Sequence, residues 1–178
     1  MTDFVNDTPP EILTELGRLT LAAIYLEDWT RALLWQIVPL PNGQVDGKPI
    51  SQRIDDALNA LPKRLHDEQL RERTRKYLQR VKAALQARNT VLHSVPVTIE
   101  PWPGTTPVEG THGQFLQYLP SKVKPGVAPV ATPLTVEGLR RVTHRLMQAR
   151  EEWRDITVAI HEDQEPHRDA KQPRGSED

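Results

Sequence analysis

Three residues of the segment QARNTVLHSVP, namely Arg88, Asn89 and His93, are of the side-chain types that act on a phosphodiester. Cleaving RNA by attack of the ribose 2′-hydroxyl needs a base for that proton, an acid for the departing 5′-oxygen, and positive charge on the pentacoordinate phosphate. An imidazole titrates near neutral pH and serves as either base or acid, while a guanidinium holds two phosphate oxygens as a permanent cation. Asn89 precedes His93 by four residues, which puts both on one face of a helix, where the amide can orient the imidazole or the phosphate. Arg88 precedes His93 by five, and five residues of α-helix turn two side chains about 140° apart unless the helix unwinds after Leu92. One copy of the chain therefore makes a poor site. The same residues have a plainer explanation, since cations favour helix C-termini and a histidine can cap exposed carbonyls there.

The element that carries them is the third of four expected helices. Thr8, Pro9, Pro10 and Glu11 open the first, with a capping hydroxyl, proline in the first turn and an early carboxylate. Its apolar stripe of Leu16, Leu19, Ala23, Leu26, Leu33 and Ile37, with Thr30 in the one polar gap, runs to about Val38, and Pro39 and Pro41 end it. Residues 41–50 read as a surface loop, Ser51 as the cap of a shorter helix holding Ile54, Leu58 and Leu61, and Pro62 as its close. The third helix starts near Asp67 and buries Leu70, Tyr77, Leu78, Val81, Leu85 and Leu92. Eight of the sixteen prolines fall in residues 94–133, where Val95 to Ile99 and Gln114 to Leu119 alternate like two short strands. Thr135 caps a last long helix with Leu139, Val142, Leu146, Ala149, Trp153, Ile156 and Ile160 at helical spacing. The expected fold is all-α, an up-down bundle of four to five helices, with a proline-rich insertion containing short β-strands before the last helix. Residues 1–160 form one domain, 94–133 an excursion from it, and 161–178 a charged tail too poor in apolar residues to order.

Around the motif the charge is local. Net charge is −1 overall, but residues 63–88 hold nine basic side chains against three acidic ones. A solvated helix face accounts for that on charge alone, and a phosphate-binding face accounts for it equally. On the second reading Arg73, Arg80 and Lys82 meet the RNA backbone, and Trp102, set between Pro101 and Pro103, stacks a base.

An Arg-Asn pair followed after three residues by His, at the end of a basic helix in a small bundle, resembles the HEPN family. In that family an Arg, a polar residue that is often Asn, three or four further residues and a His close one helix of a four- or five-helix bundle. The resemblance implies a metal-independent endoribonuclease that leaves a 2′,3′-cyclic phosphate and spares DNA, with Arg88, Asn89 and His93 as its catalytic residues and no cofactor. It also implies a homodimer in which two motif ends line one cleft, acting as a toxin or defence component with an antitoxin or nucleotidyltransferase partner. Other members bind nucleotides, nucleic acid or proteins without cutting, so a non-catalytic module is the alternative, and a helical scaffold without ligand a third. The resemblance covers the helical scaffold and the motif; the 94–133 insertion matches nothing in it.

The rest of the composition narrows the field. The chain has no cysteine, which excludes disulfides, thiolate metal sites and cysteine nucleophiles. No apolar run of about 18 residues occurs and the N-terminus is acidic and polar, so a cytoplasmic protein without membrane attachment is expected. His112, His144 and His161 make no metal-ligand spacing, and the pairs Glu27/Asp28 and Asp55/Asp56 suit solvated helix faces. Trp153 falls on the core stripe of the last helix, whereas Trp29 and Trp35 lie off the stripe of the first and meet either another helix or a second chain.

Overall fold

A computed structural model describes residues 8–40, 47–99, 115–120 and 132–169. Five helices dominate these residues: α1 (Pro10–Ile37), α2 (Ile50–Arg64), α3 (Glu68–Leu92), α4 (Val136–Glu151) and α5 (Trp153–Asp169). Between α3 and α4 lie β1 (Ser94–Ile99), β2 (Phe115–Pro120) and β3 (Thr132–Pro133). They form an antiparallel sheet in the order β1-β2-β3, with Ser94 opposite Pro120, Ile99 opposite Phe115, and Tyr118 opposite Thr132. Among the described residues no helix is long and apolar enough to cross a membrane.

The chain divides into two compact units of discontinuous segments, Met1–Ile24 with Ala83–Met147, and Tyr25–Lys82 with Gln148–Asp178. In the first, Ile12, Leu19, Ala23, Ala84, Leu85, Leu134, Leu139 and Leu146 are buried. Each fully buried Leu or Ile contributes about 1.5–3 kcal/mol relative to exposure, so this apolar set outweighs any one polar contact in holding the end of α3 in place. One buried carboxylate joins the set. Glu15 accepts hydrogen bonds from Arg18 Nη1 at 2.8 Å and from Arg140 Nε at 3.1 Å, tying α1 to α4.

The second unit buries Leu26, Leu33, Leu34 and Ile37 of α1 with Ile54, Ala57 and Leu61 of α2, Leu70, Tyr77, Leu78 and Val81 of α3, and Ile156 and Ile160 of α5. Polar side chains close its helix ends. Arg53 is buried and its Nη2 donates to the Val38 carbonyl at 3.0 Å, serving the carbonyl end of α1. Asp67 caps α3 by accepting from Gln69 N at 2.7 Å, and Asp163 on α5 accepts from His66 N and Asp67 N at 2.8 and 3.0 Å.

Several boundaries differ from the sequence reading for identifiable reasons. The second helix begins at Ile50 with Pro49, not Ser51, in the cap position and with no side-chain bond there. Proline presets the entry dihedral but offers no acceptor, so the first turn of this helix has no side-chain cap. Nor does Pro62 close this helix. It sits inside the last turn and the chain stays helical to Arg64, with Leu65 N donating to Leu61 O at 3.0 Å. The expected single last helix is broken by a turn at Glu152 into α4 and α5, while its apolar spacing runs on through both. Order also extends past residue 160, because α5 reaches Asp169 where a disordered tail was expected. Asp163 and Gln164, whose Nε2 donates to Gln36 O at 3.3 Å, tie this extension down through polar bonds.

Candidate functional site

Arg88 and Asn89 occupy the last turn of α3, and His93 is the first residue beyond it. The helix does not unwind before the histidine, because His93 N still donates to Asn89 O at 3.0 Å. Helical rotation of 100° per residue therefore applies across the motif, so Asn89 and His93 share a face and Arg88 points about 140° away from His93. Burial follows the same division: Asn89 and His93 are exposed, whereas Arg88 is half-buried. One copy of the chain thus brings together the amide and the imidazole and leaves the guanidinium on another side of the helix. Among the described residues neither the Asn89 amide nor the His93 imidazole hydrogen-bonds to any protein group, so the carbonyl-capping role is not taken up there.

The basic surplus of α3 meets carboxylates from distant parts of the chain. Lys82 Nζ lies 2.6 and 2.8 Å from the two carboxylate oxygens of Asp55 on α2. Arg80 pairs with Glu152 at the α4–α5 break, and Arg73 approaches Asp155 on α5 at 3.9 Å. Arg75 and Lys76 share Glu72 within α3 itself. The three cations expected to meet RNA are therefore already matched, and they belong to the second unit, whereas Arg88, Asn89 and His93 belong to the first. Trp102 lies outside the described residues.

The aromatic alternatives resolve within the second unit. Trp29 and Trp153 pack with ring centroids 5.1 Å apart, Trp153 Nε1 donates to Trp29 O at 2.6 Å, and the Arg150 guanidinium stands 4.5 Å from the Trp29 ring centre. Trp29 thus meets another helix of its own chain, while Trp35 is exposed. The acidic pair Asp55/Asp56 is bound to Lys82 and Lys48. Among the described residues no three of His, Asp and Glu converge as a metal ion's ligands would.

A feature that sequence reasoning missed lies in the first unit. A groove of about 750 Å³ is walled by Val91 on α3 and by the segment entering α4, including Leu134, Val136, Arg141 and Arg145. Thr135 caps this helix as expected, its Oγ1 accepting from Gly138 N at 3.0 Å. Val91 follows Arg88 by three residues, so the groove opens on the arginine side of α3 and not on the Asn89–His93 side. The sequence signal for it is the local basic excess of residues 138–150 and the i, i+4 spacing of Arg141 and Arg145 within it, which nothing links to the motif until the chain is folded.

No known family matches this chain, and neither does any curated protein or solved structure.

Proposed function

We propose that the chain is a metal-independent endoribonuclease of the HEPN kind that acts as a homodimer. The observation carrying this reading is the exposed placement of Asn89 and His93 on one face at the end of α3, neither side chain having a hydrogen-bond partner among the described residues. His93 in its neutral form takes the proton of the ribose 2′-hydroxyl. The oxygen attacks phosphorus, the bond to the 5′-oxygen breaks, and that oxygen receives a proton from a histidinium, leaving a 2′,3′-cyclic phosphate and a free 5′-hydroxyl. A two-fold axis beside the motif supplies the second imidazole and lets an arginine from one copy face a histidine from the other, which the 140° divergence within one copy prevents. Arg88 then stabilises the phosphorane charge and Asn89 orients the imidazole.

The test is RNA incubated in EDTA with wild-type, Arg88→Ala and His93→Ala protein. Loss of the general acid or base lowers the rate about 10²- to 10⁴-fold. Equal cleavage by all three proteins would remove the proposal.

One observation favours a second reading, a non-catalytic RNA-, nucleotide- or protein-binding module of the same kind. With Arg73, Arg80 and Lys82 held by carboxylates, α3 offers no broad phosphate-binding face. An RNA-binding measurement on His93→Ala separates the two readings: retained affinity with lost cleavage supports the enzyme, and no RNA affinity with protein capture through the same face supports the module.

A further inference from the structure

We propose that the groove beside α4 is a binding subsite for single-stranded RNA, in which Arg141 and Arg145 hold the phosphates of nucleotides that flank the cleaved one. The inference rests on RNA being the substrate, and it adds a site that the motif does not contain.

Many of the chain's cations are already engaged. Arg73, Arg80 and Lys82 each face a carboxylate on another element, Arg75 and Lys76 face Glu72, and Arg140 faces the buried Glu15. Arg141 and Arg145 differ from all of these. Both are exposed, both line the groove, and among the described residues neither has an ion pair or hydrogen bond. They are four residues apart on α4, so they stand side by side on one face with one helical turn of about 5.4 Å between them. Two like charges in that position repel one another, and an anion set between or along them removes the repulsion. The backbone of a nucleic acid is such an anion, and a guanidinium binds phosphate oxygens in pairs.

The remaining walls suit the other half of a nucleotide. Val91, Leu134, Val136 and Val142 give the groove an apolar lining against which a base or sugar can lie. Its volume of about 750 Å³ falls in the range of small-molecule sites, enough for one or two nucleotides and too small for a duplex. Single-stranded RNA is therefore the polyanion that fits. Because the groove opens on the Arg88 side of α3, a strand lying in it runs toward the guanidinium of the motif. Arg141 and Arg145 touch flanking phosphates only, so they act on binding: their loss raises KM and leaves kcat close to wild type.

The experiment uses a fluorescently labelled ten-nucleotide 2′-O-methyl RNA, which carries the phosphates and lacks the nucleophile, and follows its anisotropy with the full-length chain. Arg141→Ala/Arg145→Ala lowers the slope of log K against log salt by about 1.4, the value for two lost single-strand phosphate contacts. Arg141→Glu/Arg145→Glu weakens binding at least tenfold, and circular dichroism melting of both double variants checks that the fold is kept. Equal affinity and equal salt slope in wild type and the alanine variant overturn the proposal, as does failure of the wild type to bind the probe. Binding of a poly-glutamate peptide in place of the RNA overturns it in favour of an acidic protein partner. Its failure is separable from that of the nuclease reading. If wild type cleaves RNA while the arginine variants bind normally, the subsite falls and the nuclease stands; if RNA binds through Arg141 and Arg145 but is never cut, the reverse holds.

Discussion

Replacing Tyr77 by phenylalanine raises the stability of this protein, and the gain grows in alkali. Tyr77 is fully buried, and among the described residues its Oη has no well-formed hydrogen bond, the Thr30 hydroxyl standing close to it without good geometry; the buried Thr74 hydroxyl has no partner there either. Leaving a buried hydroxyl unsatisfied costs about 1–3 kcal/mol, and taking away the oxygen recovers that cost. The void left is smaller than a methyl group, which limits the packing loss to less than about 1 kcal/mol. The net expectation at pH 7 is a gain of about 1 kcal/mol, read as a higher urea midpoint at unchanged slope. Burial also drives the phenol's pKa far above its ordinary value near 10, with the Thr30 hydroxyl nearby offsetting part of the rise, Glu152 adding to it and Arg80 opposing it. Above pH 10 the unfolded chain releases this proton while the folded chain keeps it. The unfolded state then binds fewer protons, so stability falls as pH rises, by about 1.4 kcal/mol per pH unit for this one group. The phenylalanine variant has no such proton, and all other groups titrate alike in both proteins. The advantage of Tyr77→Phe therefore widens by about 1.4 kcal/mol between pH 9 and pH 11. A variant less stable than wild type by more than about 1 kcal/mol at pH 7 would show that the hydroxyl is bonded after all, and a pH-independent difference would refute the burial argument.

Two further outcomes follow from the ion pairs and caps. Arg73→Ala, Arg80→Ala and Lys82→Ala each change stability by at most about 1 kcal/mol, because these pairs are largely exposed. Each leaves the salt slope of RNA binding unaltered, whereas a true phosphate contact would lower it by about 0.7, so anisotropy titrations at several salt concentrations decide the matter. Asp163→Ala removes the acceptor for two backbone N–H groups at the start of α3 and lowers stability by about 1 kcal/mol in urea unfolding. No change there would mean that water replaces the carboxylate at no cost.

How far these features could be read from the sequence depended on whether their cause was local. The apolar spacing of α1 and α3 repeats at helical intervals, so Leu19, Leu26, Leu78 and Val81 could be assigned to the core without knowing their neighbours. The Thr135 cap is equally local, being a bond across three residues. Glu15 shows where this kind of reading stops. Its position on the buried side of α1 is visible in the helical period, but a carboxylate is normally assigned to solvent. Arg18, one turn along, is a local partner, but the second guanidinium that lets it stay inside is Arg140, 125 residues away. Arg53 and Asp163 escape for the same reason, since each completes the end of a helix other than its own.

The candidate site shows the same limit applied to charge. Residue types and the four-residue spacing were enough to pair Asn89 with His93, because one helix turn sets that geometry. Charge along a helix is different, since a count of basic side chains in residues 63–88 measures what a segment carries and not what it can offer to a ligand. Asp55, Glu152 and Asp155 arrive from other elements and match three of those cations. Arg141 and Arg145 have no ion pair among the described residues and both line a groove. An electrostatic footprint is thus what remains after folding has paired every cation it can. By that measure Arg141 and Arg145, which line a groove, are better placed to meet an anion than Arg73, Arg80 and Lys82, which already face carboxylates.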